Sequence, residues 1–211
     1  MISVKICGVT RIDHVQFCID SKASYIGLVF YRQSRRNLTI DKAKSLADRA
    51  GKDICKVALV VNPEDSFLLS LLSEVSIDML QLHGNESPER VSEIKKLTGI
   101  PVMKAIGISS KSDILIVEKY QNVVDQILID AKPISSESNP GGNGFMFDWN
   151  LLKGVSFSVP WMLAGGLNPD NVAEAVRMTG TRQVDVSSGV EATPGQKDAA
   201  LITAFVKGAR I

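Results

Sequence analysis

The sequence predicts a single-domain (β/α)8 TIM barrel, an α/β fold that spans residues 1–211. Eight short runs rich in Val, Ile and Leu alternate strictly with eight longer segments whose apolar residues recur at helical spacing. Continuous apolar runs of this kind are typical of parallel strands that are covered on both faces. Because the pattern repeats eight times without a linker or a break in composition, it favours a closed barrel over an open sheet.

The predicted strands are short and apolar, and each one precedes a segment with helical periodicity. Such lengths are usual for strands of parallel sheets. The strands are Ile2–Cys7, Tyr25–Phe30, Ile54–Val61, Ile77–Leu82, Pro101–Ile106, Asp125–Ile129, Pro160–Leu163 and Gln183–Val186.

The predicted helices carry start and stop signals. Thr10 and Thr39 are placed to cap two helices, Pro63 and Pro88 lie in a first helical turn, and Gly51 ends a helix. The helices are a segment with Ile12, Val15 and Ile19, then Ile40–Ala50, Glu64–Ser73, Ser87–Leu97, Ser109–Tyr120, Asp148–Lys153, Pro169–Met178 and Gln196–Ala209. The long irregular stretch 131–147 predicts a lid or ligand loop, or a partly disordered segment.

Composition and charge disfavour several classes of protein. The formal net charge of +1 provides no broad basic field for nucleic acid. The three cysteines form no C-x-x-C pair, and with two histidines they do not indicate a structural zinc site. We find no signal peptide and no apolar run of the ~20 residues that cross a membrane. We therefore expect a cytoplasmic protein with a small-molecule ligand, without nucleic-acid or membrane partners.

Reactive residues gather at the carboxyl ends of the predicted strands, where barrels of this class place their active sites. They come from strands one, four, six and eight and from the loop after strand two. These residues are Cys7, His83, Asp130, Asp185 and the arginines Arg32, Arg35 and Arg36.

Glycines at the ends of the last two strands predict a phosphate site. Glycine lets a ligand approach the backbone closely, and the N–H groups at the start of a short helix bind phosphate. The alternative is that these glycines only form tight turns. The candidates are Gly165 and Gly166 after strand seven, Ser187, Ser188 and Gly189 after strand eight, and Gly142 and Gly144 in the irregular stretch.

Cys7 and Asp130 are the candidate acid/base pair. A thiol at a strand end becomes a useful base when positive charge lowers its pKa, whereas Cys18 and Cys55 fit inert packing roles. Asp130 ends an apolar run, where partial desolvation suits a general acid; the alternative is a cap or an ion pair with Lys132.

Three further residues have less certain roles. His83 is placed either to bind ligand or to form a hydrogen bond at its strand end. Lys5 shares the strand parity of Cys7 and is expected to point into the barrel, where it pairs with Asp185. One arginine of the loop suits a carboxylate of the ligand through a bidentate fork, and the loop alone does not show which one.

The motifs together resemble the phosphoribosylanthranilate isomerase family of tryptophan biosynthesis. In order they are VKICG, GLVFY with SRR, VALVVN, QLHG, LID, GGNG with FDW, AGGLNP and VDVSSGVE followed by PGQKD. Each piece is weak alone, but the ordered set covers nearly the whole chain and is very specific.

The resemblance implies an Amadori rearrangement of N-(5-phosphoribosyl)anthranilate to the 1-deoxyribulose 5-phosphate compound, without cofactor or metal. It implies Cys7 as the general base and Asp130 as the general acid. It places Arg36 on the anthranilate carboxylate, Asp185 near the sugar hydroxyls, and the phosphate on backbone groups after strands six to eight. It leaves open whether the protein is a monomer or a homodimer.

Two other functions remain open. A related sugar-phosphate isomerase works with two carboxylates, and Cys7 in place of a strand-one aspartate disfavours it. A barrel that has lost catalysis and only binds ligands or a partner protein is disfavoured because both Cys7 and Asp130 are present.

Overall fold

Eight parallel strands, each hydrogen-bonded to the next and the last to the first, close into a barrel in the computed structural model, which describes residues 1–132 and 146–210. Lys5 pairs in register with Asp185 where the eighth strand meets the first. The strands are β1 Ser3–Cys7, β2 Tyr25–Phe30, β3 Cys55–Val60, β4 Met79–Leu82, β5 Val102–Ile108, β6 Gln126–Ala131, β7 Trp161–Leu163 and β8 Gln183–Val186. The predicted barrel is confirmed.

Seven α-helices lie between and after the strands in the described part of the chain. They are α1 Ile12–Asp20, α2 Ile40–Ala50, α3 Asp65–Glu74, α4 Pro88–Thr98, α5 Lys111–Glu118, α6 Val172–Thr179 and α7 Ala199–Ala209. The Thr39 side chain accepts a hydrogen bond from the Lys42 N–H, as a cap of α2 should. Pro88 opens α4, and Gly99 closes it with φ of 67°.

Four details of the predicted helices are wrong. The helix predicted from Pro169 begins three residues later, at Val172. Thr10 does not cap α1, because Arg11 occupies the N-cap position. Asp148–Lys153 is no α-helix: only a 3₁₀ turn, Trp149–Leu152, forms there. Gln196–Lys197 is a short strand, β10, paired with β9 at Glu191–Thr193, because Gly195 takes φ of 84° and turns the chain back. The last helix therefore begins at Ala199, where Asp198 caps it.

The core has two layers, as expected of a closed barrel. Most buried apolar side chains pack between the strands and the helices. A smaller cluster fills the barrel interior and contains Met103, Ala105, Leu128, Met162 and Ala164. Above it Cys7, Val29 and Leu59 pack together. This interior filling leaves the carboxyl ends of the strands as the place for a ligand.

Most of the predicted loop 131–147 lies outside the described residues. The candidate phosphate ligands Gly142 and Gly144 belong to that part. Within residues 1–132 and 146–210, every helix is too short or too polar to cross a bilayer.

Candidate active site

A cavity of about 460 Å³ opens at the carboxyl ends of the strands. Seven predicted site residues line it together, although they come from three strands and from the segments that follow three strands. They are Cys7, Arg36, His83, Asp130, Asp185, Ser187 and Ser188. The expected gathering of chemistry at this end of the barrel is what the structure shows.

Cys7 ends β1 and is 5% exposed at the cavity floor. Burial raises the pKa of its thiol, and the positive charge of Lys5 acts in the opposite direction. Gly27 on β2 has no side chain because there is no room for one: a Cβ there would stand 2.8 Å from the Cys7 Sγ and 3.2 Å from the Lys5 Nζ. The thiol, the ammonium and the Gly27 backbone are therefore packed together.

Lys5 lies below Cys7 and is fully buried. Its Nζ donates to Asp185 Oδ1 at 2.9 Å, which is the predicted pair. Burial alone would lower the pKa of Lys5, but Asp185 and Cys7 raise it above its usual range. Lys5 is therefore a fixed positive charge beneath the thiol. Asp185 lines the cavity while it holds that charge.

The other two cysteines have no such setting. Cys18 is fully buried in α1, and burial raises its pKa to about 12. Cys55 begins β3 at the opposite end of the barrel, where burial raises its pKa to about 11. Both fit inert packing roles.

Asp130 lies on β6 with its two oxygens in different surroundings. Oδ1 accepts the Ala131 N–H at 2.8 Å, and Oδ2 lies 3.4 Å from the His83 Nε2. The alternative ion pair with Lys132 is wrong, since Lys132 bonds Asp113 at 2.9 Å instead. Asp130 is left facing the cavity and His83.

Arg36 is held at the cavity wall by a carboxylate of the protein. Its Nε and Nη2 donate to the two oxygens of Glu191 at 2.7 and 2.8 Å. Lys197, whose side chain is fully buried, donates to the same carboxylate at 2.7 Å. Glu191 thus fixes the guanidinium, whose Nη1 edge remains for a ligand, because no described residue accepts from it.

The three arginines of the loop after β2 differ in their exposure and in whether they line the cavity. Arg35 also lines the cavity but is exposed, whereas Arg32 is exposed and does not line it. Among contacts between described residues, a carboxylate anchors Arg36 and neither of the other two arginines.

The predicted phosphate site is only partly at the cavity. Ser187 and Ser188 line it, and Ser188 begins a three-residue 3₁₀ turn that ends at Val190. Gly189 is packed against the loop after β7, since a Cβ would meet the Leu167 carbonyl oxygen at 2.0 Å. Gly165 and Gly166 have φ of 84° and 64° and form the turn after β7. The structure shows close packing and turn conformations at these three glycines, and none of them lines the cavity.

Sequence reasoning missed three residues that organise the site. Glu191 and Lys197 lie in the quoted VDVSSGVE and PGQKD motifs, yet their contact with Arg36 requires the closed barrel. Gln81 lies in QLHG and is fully buried beside His83. For Glu191 and Lys197 the available signal was that each is a charged residue within a motif that is otherwise mostly buried. No group of three His, Cys, Asp or Glu side chains in the described ranges is placed to hold a metal ion.

Comparison with known proteins gives one consistent result. The model of the family described as N-(5′-phosphoribosyl)anthranilate (PRA) isomerase matches residues 4–208. The N-(5′-phosphoribosyl)anthranilate isomerases of Paramagnetospirillum magneticum and Cereibacter sphaeroides are each 50% identical over 209 residues, which cover 99% of this chain and 97% and 99% of those proteins.

Solved structures agree with these relatives. The phosphoribosyl anthranilate isomerase of Thermotoga maritima is 36% identical, with a TM-score of 0.88 over 100% of this chain and 99% of that one. A phosphoribosyl anthranilate isomerase in complex with reduced 1-(o-carboxyphenylamino)-1-deoxyribulose 5-phosphate is 33% identical, with a TM-score of 0.84 over the same shares of the two chains.

Proposed function

The chain belongs to the N-(5′-phosphoribosyl)anthranilate isomerase family, and we propose from this premise how its own residues perform the reaction. It isomerises N-(5′-phosphoribosyl)anthranilate to 1-(2-carboxyphenylamino)-1-deoxyribulose 5-phosphate, a step of tryptophan biosynthesis. The observation that carries the assignment of roles is that a thiol, a carboxyl group and an anchored guanidinium line one cavity.

Asp130 starts the reaction as the general acid. It gives its proton to the ribose ring oxygen while the bond from that oxygen to C1′ breaks, and the electron pair of the bond goes to the oxygen. The lone pair of the anthranilate nitrogen then forms the C1′=N double bond of an iminium ion. After the transfer Asp130 is a carboxylate, with the Ala131 N–H against one oxygen and the His83 Nε2 at 3.4 Å from the other.

Cys7 continues the reaction as the general base from its thiolate form. The thiolate removes the proton from C2′, the C1′=C2′ bond forms, and the iminium electron pair returns to nitrogen to give an enolamine. Loss of the 2′-hydroxyl proton and protonation of C1′ complete the ketone. Burial keeps the thiol pKa high in the free enzyme. The Lys5 charge and the cationic iminium both favour the thiolate when it is needed.

The remaining polar groups bind the two ends of the substrate. We assign the anthranilate carboxylate to the Nη1 edge of Arg36, since the other edge is occupied by Glu191. We assign the sugar hydroxyls to Asp185, and we place His83 beside the ring oxygen, because its Nε2 faces Asp130. The phosphate is assigned to backbone groups at Gly165, Gly166, Ser187, Ser188 and Gly189, with Gly142 and Gly144 completing the site.

The test is the loss of phosphoribosylanthranilate fluorescence on mixing with pure protein. Cys7→Ala and Asp130→Asn should each lower turnover at least ~100-fold without loss of folding, because each proton transfer is worth ~10²–10⁴ in rate. Cys55→Ala and Asp125→Asn are matched controls, since both residues lie at the other end of the barrel. Near-normal turnover in Cys7→Ala or Asp130→Asn would refute the roles.

Arg36 is tested separately through substrate binding. Arg36→Ala should chiefly raise KM, because the carboxylate it holds is remote from the reacting bonds. An unchanged KM would move that task to Arg35. A wild-type protein that leaves phosphoribosylanthranilate intact would favour a related sugar-phosphate isomerase or a non-catalytic barrel.

Location and assembly are also proposals. We propose a cytoplasmic enzyme that acts as a monomer or homodimer. The three cysteines are all free, as they are in a reducing compartment. One solved relative is described as monomers generated from the dimeric enzyme of Thermotoga maritima.

A further inference from the structure

Gln81, His83 and Asp130 form a row of side chains that leads from the barrel interior to the cavity. The Gln81 Nε2 lies 3.1 Å from the His83 Nδ1. On the other side of the ring, the His83 Nε2 lies 3.4 Å from Asp130 Oδ2. Gln81 is fully buried on β4, and His83 follows it by two residues just beyond the strand.

The Gln81 group that faces His83 Nδ1 determines whether His83 Nε2 donates a hydrogen bond to Asp130 or accepts one. A neutral imidazole carries one proton, so one ring nitrogen donates while the other accepts. When the Gln81 amide N–H donates to Nδ1, the proton must be on Nε2. His83 then donates to Asp130 rather than accepting from it.

We propose that Gln81 is a positioning residue for proton transfer, which fixes His83 as a hydrogen-bond donor to the carboxylate that forms on Asp130. This inference rests on the role of Asp130 in the proposed function. As Asp130 gives up its proton, negative charge develops on Oδ2, and the Nε2–H is already aimed at it. A donor directed at developing charge lowers the barrier.

Two details of the structure agree with this role. The 3.4 Å separation between Nε2 and Oδ2 is long for a hydrogen bond, and catalytic hydrogen bonds are often long before the charge forms. The carbonyl Oε1 of Gln81 is buried and accepts no hydrogen bond from any described residue. Among the described residues, the Gln81 amide therefore has its one hydrogen bond with His83.

The charged groups near this row are already paired. Lys104 on β5 is bound to Glu86, Lys132 after β6 is bound to Asp113, and Lys5 on β1 is bound to Asp185 on β8. The cavity is also lined by the titratable groups of Cys7, Tyr31, Arg35, Arg36 and Glu191. Removing the Gln81 amide changes none of these pairs, so its effect on Asp130 must pass through His83.

The first test is a ring ¹⁵N spectrum of the wild-type protein, which reports the tautomer without substrate. The chain has two histidines, and a His14→Asn variant assigns the remaining signals to His83. We expect the Nε2–H tautomer at neutral to mildly alkaline pH. In Gln81→Met, which keeps the length of the side chain but removes the donor, the His83 signals should move towards the average of the two tautomers. Gln126→Met is the matched control, because Gln126 is a buried glutamine that bonds Gln183 at the other end of the barrel.

The second test is kinetic. Gln81→Met should lower kcat roughly 2- to 12-fold, the range that one ordinary hydrogen bond is worth, with KM little changed. In a His83→Ala background the same substitution should have no further effect.

An Nδ1–H tautomer in the wild type would overturn the proposal even if Gln81→Met does not fold. An equal loss of kcat in the two backgrounds would overturn it as well. A wild type with the Nε2–H tautomer that does not consume phosphoribosylanthranilate would refute the proposed function instead.

Discussion

Glu191→Gln removes one charge at the centre of the Arg36 anchor. The Glu191 side chain is 4% exposed and is shared by Arg36 and the fully buried Lys197. Burial alone would raise the pKa of Glu191, but hydrogen bonds from Arg36 and Lys197, together with the Gly195 N–H, lower it from 4.5 to about 2. The lowered pKa measures how strongly the folded protein holds this carboxylate.

The expected loss of stability follows from that pKa. Each tenfold change in proton affinity is worth about 1.4 kcal/mol, so the ionised Glu191 contributes about 3 kcal/mol to the free energy of unfolding. A lowered pKa in the folded state means that this contribution is complete above pH 4.5 and is lost as the pH falls through about 2. Roughly half of it remains at pH 3. The gap between wild type and Glu191→Gln should therefore narrow by about half between pH 7 and pH 3.

Urea unfolding, followed by the fluorescence of Trp149 and Trp161, measures this gap at both pH values. Glu93→Gln is the control, because its pair with Arg90 is exposed and such pairs are worth about 0–1 kcal/mol. Steady-state kinetics on Glu191→Gln should also show a raised KM, since Arg36 loses its anchor. The reasoning fails if Glu191→Gln is as stable as Glu93→Gln at pH 7, or if the gap is the same at pH 3.

Three other changes test neighbouring parts of the site. Gly27→Ala places a Cβ 3.0 Å from the Cys7 Cα and 2.8 Å from its Sγ. The value of kcat should fall by roughly 100-fold because the thiol is displaced. An unchanged kcat would show that β1 shifts to make room without moving the thiol out of place. Because burial raises the thiol pKa above 9.0, alkylation of Cys7 by iodoacetamide should still rise with pH beyond 9; a plateau near neutral pH would contradict this. Lys104→Met removes the donor to the carbonyls of Leu82, Gly84 and Ala105 and the partner of buried Glu86. It should cost about 3–5 kcal/mol of unfolding free energy, and adding Glu86→Gln should recover part of that, which urea unfolding of the single and double variants will show.

The sequence predicts the barrel well because the patterns that specify strands and helices are local in the sequence. β2 and β8 have the predicted bounds, and the other strands differ by at most two residues at either end. The errors lie where a local pattern competes with a specific turn. The local pattern places Gln196 and Lys197 at the start of α7, but in the structure they form β10 of the hairpin after β8. There Lys197 contacts Glu191.

The cavity-lining side chains were predictable for the same local reason. Each one ends a strand or lies in the loop after it, so topology alone places Cys7, His83, Asp130 and Asp185 at one mouth. The partners that hold them were harder to predict. Arg36 and Glu191 are 155 residues apart, and no periodicity in the sequence relates them. Strand parity gave Lys5 an inward direction and so suggested Asp185, but no comparable rule applies to a loop arginine.

The closing contact of the barrel therefore matters for chemistry as well as for the fold. The β1–β8 register sets Lys5 opposite Asp185, and the hydroxyl of Ser187, just after β8, donates to the Cys7 carbonyl at 3.0 Å. Lys197 donates in turn to the Ser187 carbonyl at 2.9 Å and also holds Glu191. The base, the charge beneath it and the arginine anchor are thus joined across one seam. A local opening of that seam, which costs less than global unfolding, would separate Lys5 from Asp185 and the Cys7 carbonyl from Ser187, and would move Glu191 away from Arg36. Activity should therefore be lost at lower denaturant concentrations than the bulk of the barrel structure.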